Sequence, residues 1–389
     1  MLDTVLVQKM HLLPYQRCSP TAISWVRSRV LLRFFIFTAA RSCMFSPIFI
    51  EVFDMIVHIW LTVDSAGSPV RSRPVPGILA TATGGRAFSA AYRLAPRFPL
   101  PVPILDALTA YFYLVSPPPD AFHEPVAPEN IVIAGESSGA NLAVGIIQCL
   151  LQLRRKHPDN SAINIHGRTV PISSPAGVTL LSAGFDFGNC LPSNITYAEK
   201  DWIWGIEPWL RPTFPADEIW PTDPPRLWPY SHESALDHPF LNPSTTALEH
   251  LKGFPPLWLA CGEEALSDGI KVFAQHAAMA STKVQFTLWE GMPHVFPLIL
   301  RGLPQTKACM AQWATACAAM VIAKGKWQSK GTFVEMGNLK ERELDLRTLT
   351  PLQLQEVRKR FYLLKAKLSG LTWTGQKKDV AFFPKLPKL

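Results

Sequence analysis

A chain of 389 residues with 48% hydrophobic and 17% charged side chains can bury a large core, which excludes an intrinsically disordered protein. The net charge of +8 is local: residues 321–389 carry fifteen Lys and Arg against six Asp and Glu. The remainder is close to neutral, which excludes a nucleic-acid-binding core. Seven scattered cysteines, odd in number and without a C-x-x-C, argue against a disulfide framework or a zinc site. Free thiols of this kind point to an intracellular, cytoplasmic protein.

Residues 1–65 are an apolar N-terminal segment. Val30 to Val63 is strongly apolar, but Arg33, Arg41, Glu51, Asp54 and His58 interrupt it. It starts too late for an ordinary signal peptide. No 18-residue window is free of charge and proline, so buried helix and strand are favoured over a membrane anchor, which stays as the alternative.

Residues 66–325 alternate strand and helix signals. Gly84-Gly85 reads as a helix end, and Ala87–Tyr92 as a strand. A short helix from Leu105 to Leu114 and the loop Ser116–Asp120 follow. The apolar run Ile131–Ala134 leads through Gly135-Glu136-Ser137-Ser138-Gly139 into a long helix carrying Leu142, Val144, Ile146, Ile147, Leu150 and Leu151. Gly177–Ser182 is a buried strand. An insertion rich in Pro and Trp spans 183–254, with Trp202, Trp204, Trp209, Trp220 and Trp228. These tryptophans either line an apolar pocket or pack the loop on itself. The insertion also holds a glycosylation sequon, Asn194-Ile195-Thr196, relevant only in a secreted chain. Strand Pro256–Cys261, helix Ala265–Ser281, strand Lys283–Trp289 and helix Thr306–Ala323 complete the series. Such alternation predicts a mostly parallel sheet covered by helices on both faces.

Residues 326–389 form a basic extension with one amphipathic helix. Thr350 is its expected N-cap, Pro351 its first residue, and Gln353 closes a capping box. Leu354, Val357, Phe361, Leu364 and Leu368 make one apolar stripe, which predicts packing on the body or on a partner helix. Binding to an acidic membrane surface is the less favoured reading, and the oligomeric state is not legible.

Gly135-x-Ser137-x-Gly139 between a strand and a helix is the layout of a nucleophile elbow. The glycines allow a strained turn and a close strand–helix approach, and the turn exposes Ser137 Oγ. A serine hydroxyl needs a base, and the base needs an orienting carboxylate. Of ten histidines, His294 alone sits in a loop just past a late strand. The acid comes from the loop after Cys261. Glu264, directly after its strand, is favoured over Asp268, and Glu263 is expected to point away.

These segments resemble the hormone-sensitive-lipase-like α/β-hydrolases. Tyr92-Arg-Leu-Ala-Pro96 with Phe98-Pro99 is similar to the family's YRLAP-E-x-P-F-P segment, and Gly135–Ala143 to its G-D-S-A-G-G-N-L-A elbow. Pro255–Gly262 and Glu290-Gly-Met-Pro-His294-Val-Phe296 resemble its acid-strand and histidine segments. The resemblance covers residues 70–320 and implies an α/β-hydrolase fold that hydrolyses carboxylic esters of short to medium acyl chains, without cofactor. The family's acid precedes its histidine by some thirty residues, a spacing Glu264 fits.

The chain departs from the family at the oxyanion hole. The family carries His-Gly-Gly-Gly about seventy residues before its serine. No His-Gly-Gly occurs here, and the corresponding stretch reads Ile59 to Ser68. The Ser138 N–H remains as one oxyanion donor. A lowered activity follows as one expectation. The rival expectation is a catalytically impaired protein of this fold that binds a ligand without hydrolysing it. Neither a dinucleotide fingerprint, a P-loop nor a metal-ligand cluster occurs, so neither cofactor nor metal is expected.

Overall fold

The computed structural model describes residues 48–52, 57–61, 74–90, 92–95, 97–158, 162–165, 167–203, 222, 226–228, 230–323 and 325–368. Most of the N-terminal segment, the stretch 62–68 opposite the family's glycine motif, and Trp204, Trp209 and Trp220 lie outside them.

The strands are β1 (Ile48–Val52), β2 (Val57–Leu61), β3 (Arg86–Ala90), β4 (Ile131–Glu136), β5 (Ala162–Ile165), β6 (Arg168–Pro171), β7 (Gly177–Leu181), β8 (Leu257–Gly262), β9 (Val284–Trp289), β10 (Lys330–Val334) and β11 (Glu341–Leu344). The longer helices are α1 (Pro74–Thr83), α2 (Val102–Val115), α3 (Ser138–Lys156), α4 (Ser267–Met279), α5 (Pro304–Ile322) and α6 (Leu354–Leu368). Nine strands form one sheet in the order β11-β10-β9-β8-β7-β4-β2-β1-β3, and β5 with β6 makes a separate hairpin. Strands from β2 to β10 in that order pair in parallel. The antiparallel pairs are confined to the two edges.

The strand sequences explain the layers. Successive side chains of a strand point to opposite faces. In β4, Ile131 and Ile133 enter one apolar cluster while Val132 and Ala134 enter the other. In β8, Leu257, Leu259 and Cys261 face the first cluster, and Trp258 and Ala260 the second. A strand that is apolar on both faces needs helices on both. Helices α2, α3, α4 and α6 cover the first face, and α1 and α5 the second. This is the α/β-hydrolase architecture, a mostly parallel sheet flanked by helices. Among the described residues no helix is long and apolar enough to cross a membrane.

The sheet draws strands from both flanks of 66–325. β1 and β2 come from the apolar N-terminal segment, and β2 pairs directly with β4. β10 and β11 come from the basic extension, where only a helix was expected. β11 escapes a hydrophobic-pattern reading because it is Glu-Arg-Glu-Leu, a charged edge strand whose side chains are mostly exposed. Helix α6 buries Val357, Phe361, Leu364 and Leu368 against the body. Its capping box does not form: the helix starts at Leu354, after the expected site. Thr350 Oγ1 accepts from Leu352 N at 3.3 Å instead, and Thr350 N is drawn away to Gln275 Oε1 at 3.1 Å. The tertiary contact with α4 wins over the local cap. Gly84, at φ 70, ends α1.

Candidate active site

Ser137, Glu264 and His294 follow the C-terminal ends of β4, β8 and β9. In open parallel sheets that edge is where loops converge on a ligand crevice. β7, between β4 and β8, separates the serine from the acid, and the histidine loop folds back across it.

The elbow follows from its glycines. Ser137 stands at φ 51 and ψ −125. A Cβ on Gly135 would lie 2.7 Å from Ala140 N and from the Gly139 backbone, so β4 and α3 meet this closely only with glycine there. Backbone bonds fix the turn. Ser137 N donates to Leu181 O at 3.0 Å, and Ser137 O accepts from Gly184 N at 2.7 Å and Ala140 N at 3.1 Å. Ser138 opens α3, so its N–H has no acceptor within the helix, and the positive end of the helix dipole lies at the serine. Asn141, one turn further, donates through Nδ2 to Gly184 O at 3.3 Å and to Leu241 O, tying the helix start to the insertion.

A single hydrogen-bonded chain joins the three side chains. His294 Nε2 lies 2.9 Å from Ser137 Oγ, and His294 Nδ1 lies 2.8 Å from Glu264 Oε1. The carboxylate can only accept, so Nδ1 carries the proton and Nε2 accepts from the serine hydroxyl. Glu264 is fully buried and His294 is 2% exposed, which keeps water from competing for these bonds. The second carboxylate oxygen, Oε2, accepts from Ser182 Oγ at 2.7 Å and Gly262 N at 3.0 Å. Ser182, missed in the sequence, also accepts from Val295 N at 2.9 Å. A serine straight after a buried strand was the only signal it offered.

The rival carboxylates are engaged elsewhere. Asp268 Oδ2 accepts from Ser193 N at 2.8 Å, and Glu263 Oε2 from Gly291 N at 3.0 Å. The sequon asparagine is also committed: Asn194 Nδ2 donates to Asp186 Oδ2 at 3.3 Å and Ala265 O at 3.2 Å. Burial pushes Asp186 up to about 6, against the lowering effect of the Leu191 and Cys190 N–H groups. Burial first, then the neighbouring Glu264, raises the Cys261 thiol well above its usual range, so it stays a neutral packing group. Cys149, Cys190, Cys261, Cys309 and Cys317 are all buried free thiols.

Beside the elbow is a narrow cavity lined by Tyr92, Leu100, Ser138, Leu142, Phe187 and Tyr230, with about 20 Å³ of free space. That is room for roughly one water-sized group. Burial holds the Tyr92 phenol neutral, with Tyr230 and Glu136 adding to the effect. Of the insertion's tryptophans, Trp228 is packed into the core, whereas Trp202 lies at the site with its ring centroid 5.5 Å from that of His294. A larger groove of about 640 Å³ between α5 and the β8–β10 face touches none of the three hydrogen-bonded residues. Among the described residues, no group of three or more His, Cys, Asp or Glu could hold a metal ion.

The sequence model of the alpha/beta hydrolase fold family matches residues 62–298. The chain belongs to that family. Two named relatives of this hydrolase are an acetyl-hydrolase of Streptomyces hygroscopicus and an esterase of Acinetobacter venetianus. The first is 27% identical over 61% of this chain and 67% of its own length. The second is 27% identical over 67% of this chain and 73% of its own. Among solved structures, an esterase from the bacterial hormone-sensitive lipase family superposes with a TM-score of 0.51 at 24% identity, over 69% of this chain and 77% of that one. This last likeness shows the shared fold. With the four sequence motifs, the hydrolase is hormone-sensitive-lipase-like.

Proposed function

We propose that this hydrolase cleaves carboxylic esters by a serine acyl-enzyme route. The observation that carries the reading is the unbroken chain Ser137 Oγ to His294 Nε2, His294 Nδ1 to Glu264 Oε1, at 2.9 and 2.8 Å. In this reading His294 Nε2 takes the Ser137 proton as Oγ attacks the ester carbonyl. Glu264 holds the imidazole in the required tautomer and stabilises the imidazolium. The Ser138 N–H donates to the oxyanion. The imidazolium then protonates the leaving alkoxide, giving free alcohol and acylated Ser137. A water, deprotonated by His294, attacks the acyl carbonyl and releases the acid, and the proton returns to Ser137.

The motifs shared with the hormone-sensitive-lipase-like family support substrates with short to medium acyl chains, and the narrow cavity next to Ser138, with about 20 Å³ of free space, favours the short end of that range. The names of the two curated relatives support the same reaction class. The buried free thiols support an intracellular place of action.

The test is turnover of p-nitrophenyl acetate and butyrate. Ser137→Ala should lower kcat by at least about 10⁴-fold. Full activity in that variant would exclude Ser137 as nucleophile. The absence of His-Gly-Gly favours a second reading, a ligand-binding protein that does not turn over. A fluorophosphonate probe separates the two. Covalent labelling at Ser137 supports the enzyme, and an unlabelled, inactive but folded protein supports the binder.

A further inference from the structure

We propose that Asp201 and Trp202 are positioning residues for the base, an inference that rests on His294 serving Ser137 as described above. Both come from the insertion, remote in sequence from the two loops they join.

One carboxylate grips both loops. Asp201 Oδ2 accepts from Ala265 N at 2.8 Å, one residue past Glu264. Asp201 Oδ1 accepts from His294 N at 3.1 Å and from Trp202 N at 2.8 Å. Trp202 Nε1 donates to His294 O at 2.8 Å, with its ring beside the imidazole. The N–H and the C=O of His294 are thus each held by a side chain of this dipeptide. The insertion braces the acid loop at the same point, since Ser193 Oγ and Asn194 Nδ2 donate to Ala265 O at 2.7 and 3.2 Å.

The next residue shows why such holding is needed. Val295 stands at φ 45 and ψ 36, a left-handed conformation that a β-branched side chain strongly disfavours. Conformations of this kind persist where the surroundings over-determine them. Three side chains do so here: Ser182 on Val295 N, Asp201 on His294 N, and Trp202 on His294 O. Their bonds go to backbone, so they act on the reaction through the angle at which the imidazole is presented. Released, Val295 relaxes towards negative φ and carries Nε2 away from Ser137 Oγ. A displacement of about 1 Å costs on the order of 10²-fold in rate.

The experiment uses the full chain with Asp201→Ala, Asp201→Asn and Trp202→Phe, each checked for cooperative melting. Asp201→Ala should lower kcat for p-nitrophenyl acetate by about 10- to 10²-fold, with KM changed less than about threefold. Asp201→Asn keeps the shape and one acceptor oxygen and should fall between Asp201→Ala and the parent. Trp202→Phe keeps an aromatic face but removes the indole N–H together with the five-membered ring that carries it, leaves the Asp201 bonds to Ala265 N and His294 N in place, and should show the smallest loss. A second readout does not need turnover. The low-field proton signal of His294 Nδ1–H, assigned by its loss in His294→Ala, should broaden or vanish in Asp201→Ala. Parental kcat and an intact low-field signal in Asp201→Ala, even with a lowered melting point, would reduce Asp201 to a structural residue and overturn the inference. A parent that turns over no ester yet shows a low-field signal lost in Asp201→Ala would sink the esterase reading and leave the positioning role standing.

Discussion

Three residues at the site have positive φ, Ser137 at 51, Ser182 at 47 and Val295 at 45, and the turns at the first and last of them are held in opposite ways. The serine turn is held by backbone: Leu181 O, Gly184 N and Ala140 N bond it, and glycine at 135 lets strand and helix close on each other. The histidine turn is held by three side chains from two distant places: Ser182 after β7, and the neighbours Asp201 and Trp202 in the insertion. Backbone constraint survives side-chain substitution in general, and fails where bulk is added at a glycine or where proline removes a donor N–H. Side-chain constraint can be removed one bond at a time. The nucleophile is therefore expected to fail all at once and the base by degrees.

The largest effect belongs to the backbone-held side. Gly135→Ala places a methyl 2.7 Å from three backbone atoms that have no freedom to move aside. The expected outcome is a loss of stability of about 3 kcal/mol or more, at the upper end of overpacking, together with loss of turnover. Urea denaturation followed by tryptophan fluorescence reads the first and p-nitrophenyl acetate the second. A variant with parental stability and kcat would mean that the close strand–helix approach does not constrain the elbow.

The same contrast explains what could be read from the sequence. The elbow was legible because its constraint is local: two glycines at fixed spacing round a serine, a β-branched run before, a helix after. Glu264 and His294 were legible because each follows a late apolar strand, which puts it at the sheet edge. Asp201 and Ser182 were not, since nothing in the sequence around either residue says which loop it will reach. The repeated alternation of strand and helix segments along 66–325 made the mostly parallel sheet legible. The edge strand β11 was hidden by its charge, and the start of α6 by the bond from Thr350 to Gln275 on α4, which no local pattern encodes.

A middle-sized effect sharpens the side-chain half of the comparison. Ser182→Ala removes a donor from the buried Glu264 carboxylate and the acceptor of Val295 N together. Leaving those groups unpaired should cost about 1–3 kcal/mol of stability. Gly262 N still holds Oε2, and Asp201 and Trp202 still hold the His294 backbone, so kcat should fall only about tenfold, well short of Ser137→Ala. Thermal melting and steady-state kinetics measure the two changes. An unchanged kcat would show that Asp201 and Trp202 hold the turn without Ser182.

The smallest expected effects come from the two carboxylates nearest Glu264 in sequence. Glu263→Gln keeps an acceptor oxygen for Gly291 N on an exposed loop, so stability should stay within about 0.5 kcal/mol and kcat/KM within about twofold. Asp268→Asn retains an oxygen for Ser193 N and should cost no more than about 1 kcal/mol, with kcat changed less than about threefold. Both substitutions remove a negative charge close to the acid loop while leaving the bond between Glu264 and His294 intact, so they separate a general effect of local charge from the effect of that one bond. If either lowered kcat by a factor approaching that of Ser137→Ala, the orienting role would pass from Glu264 to a neighbour. The histidine would then have to turn its Nδ1 away from the carboxylate it faces at 2.8 Å.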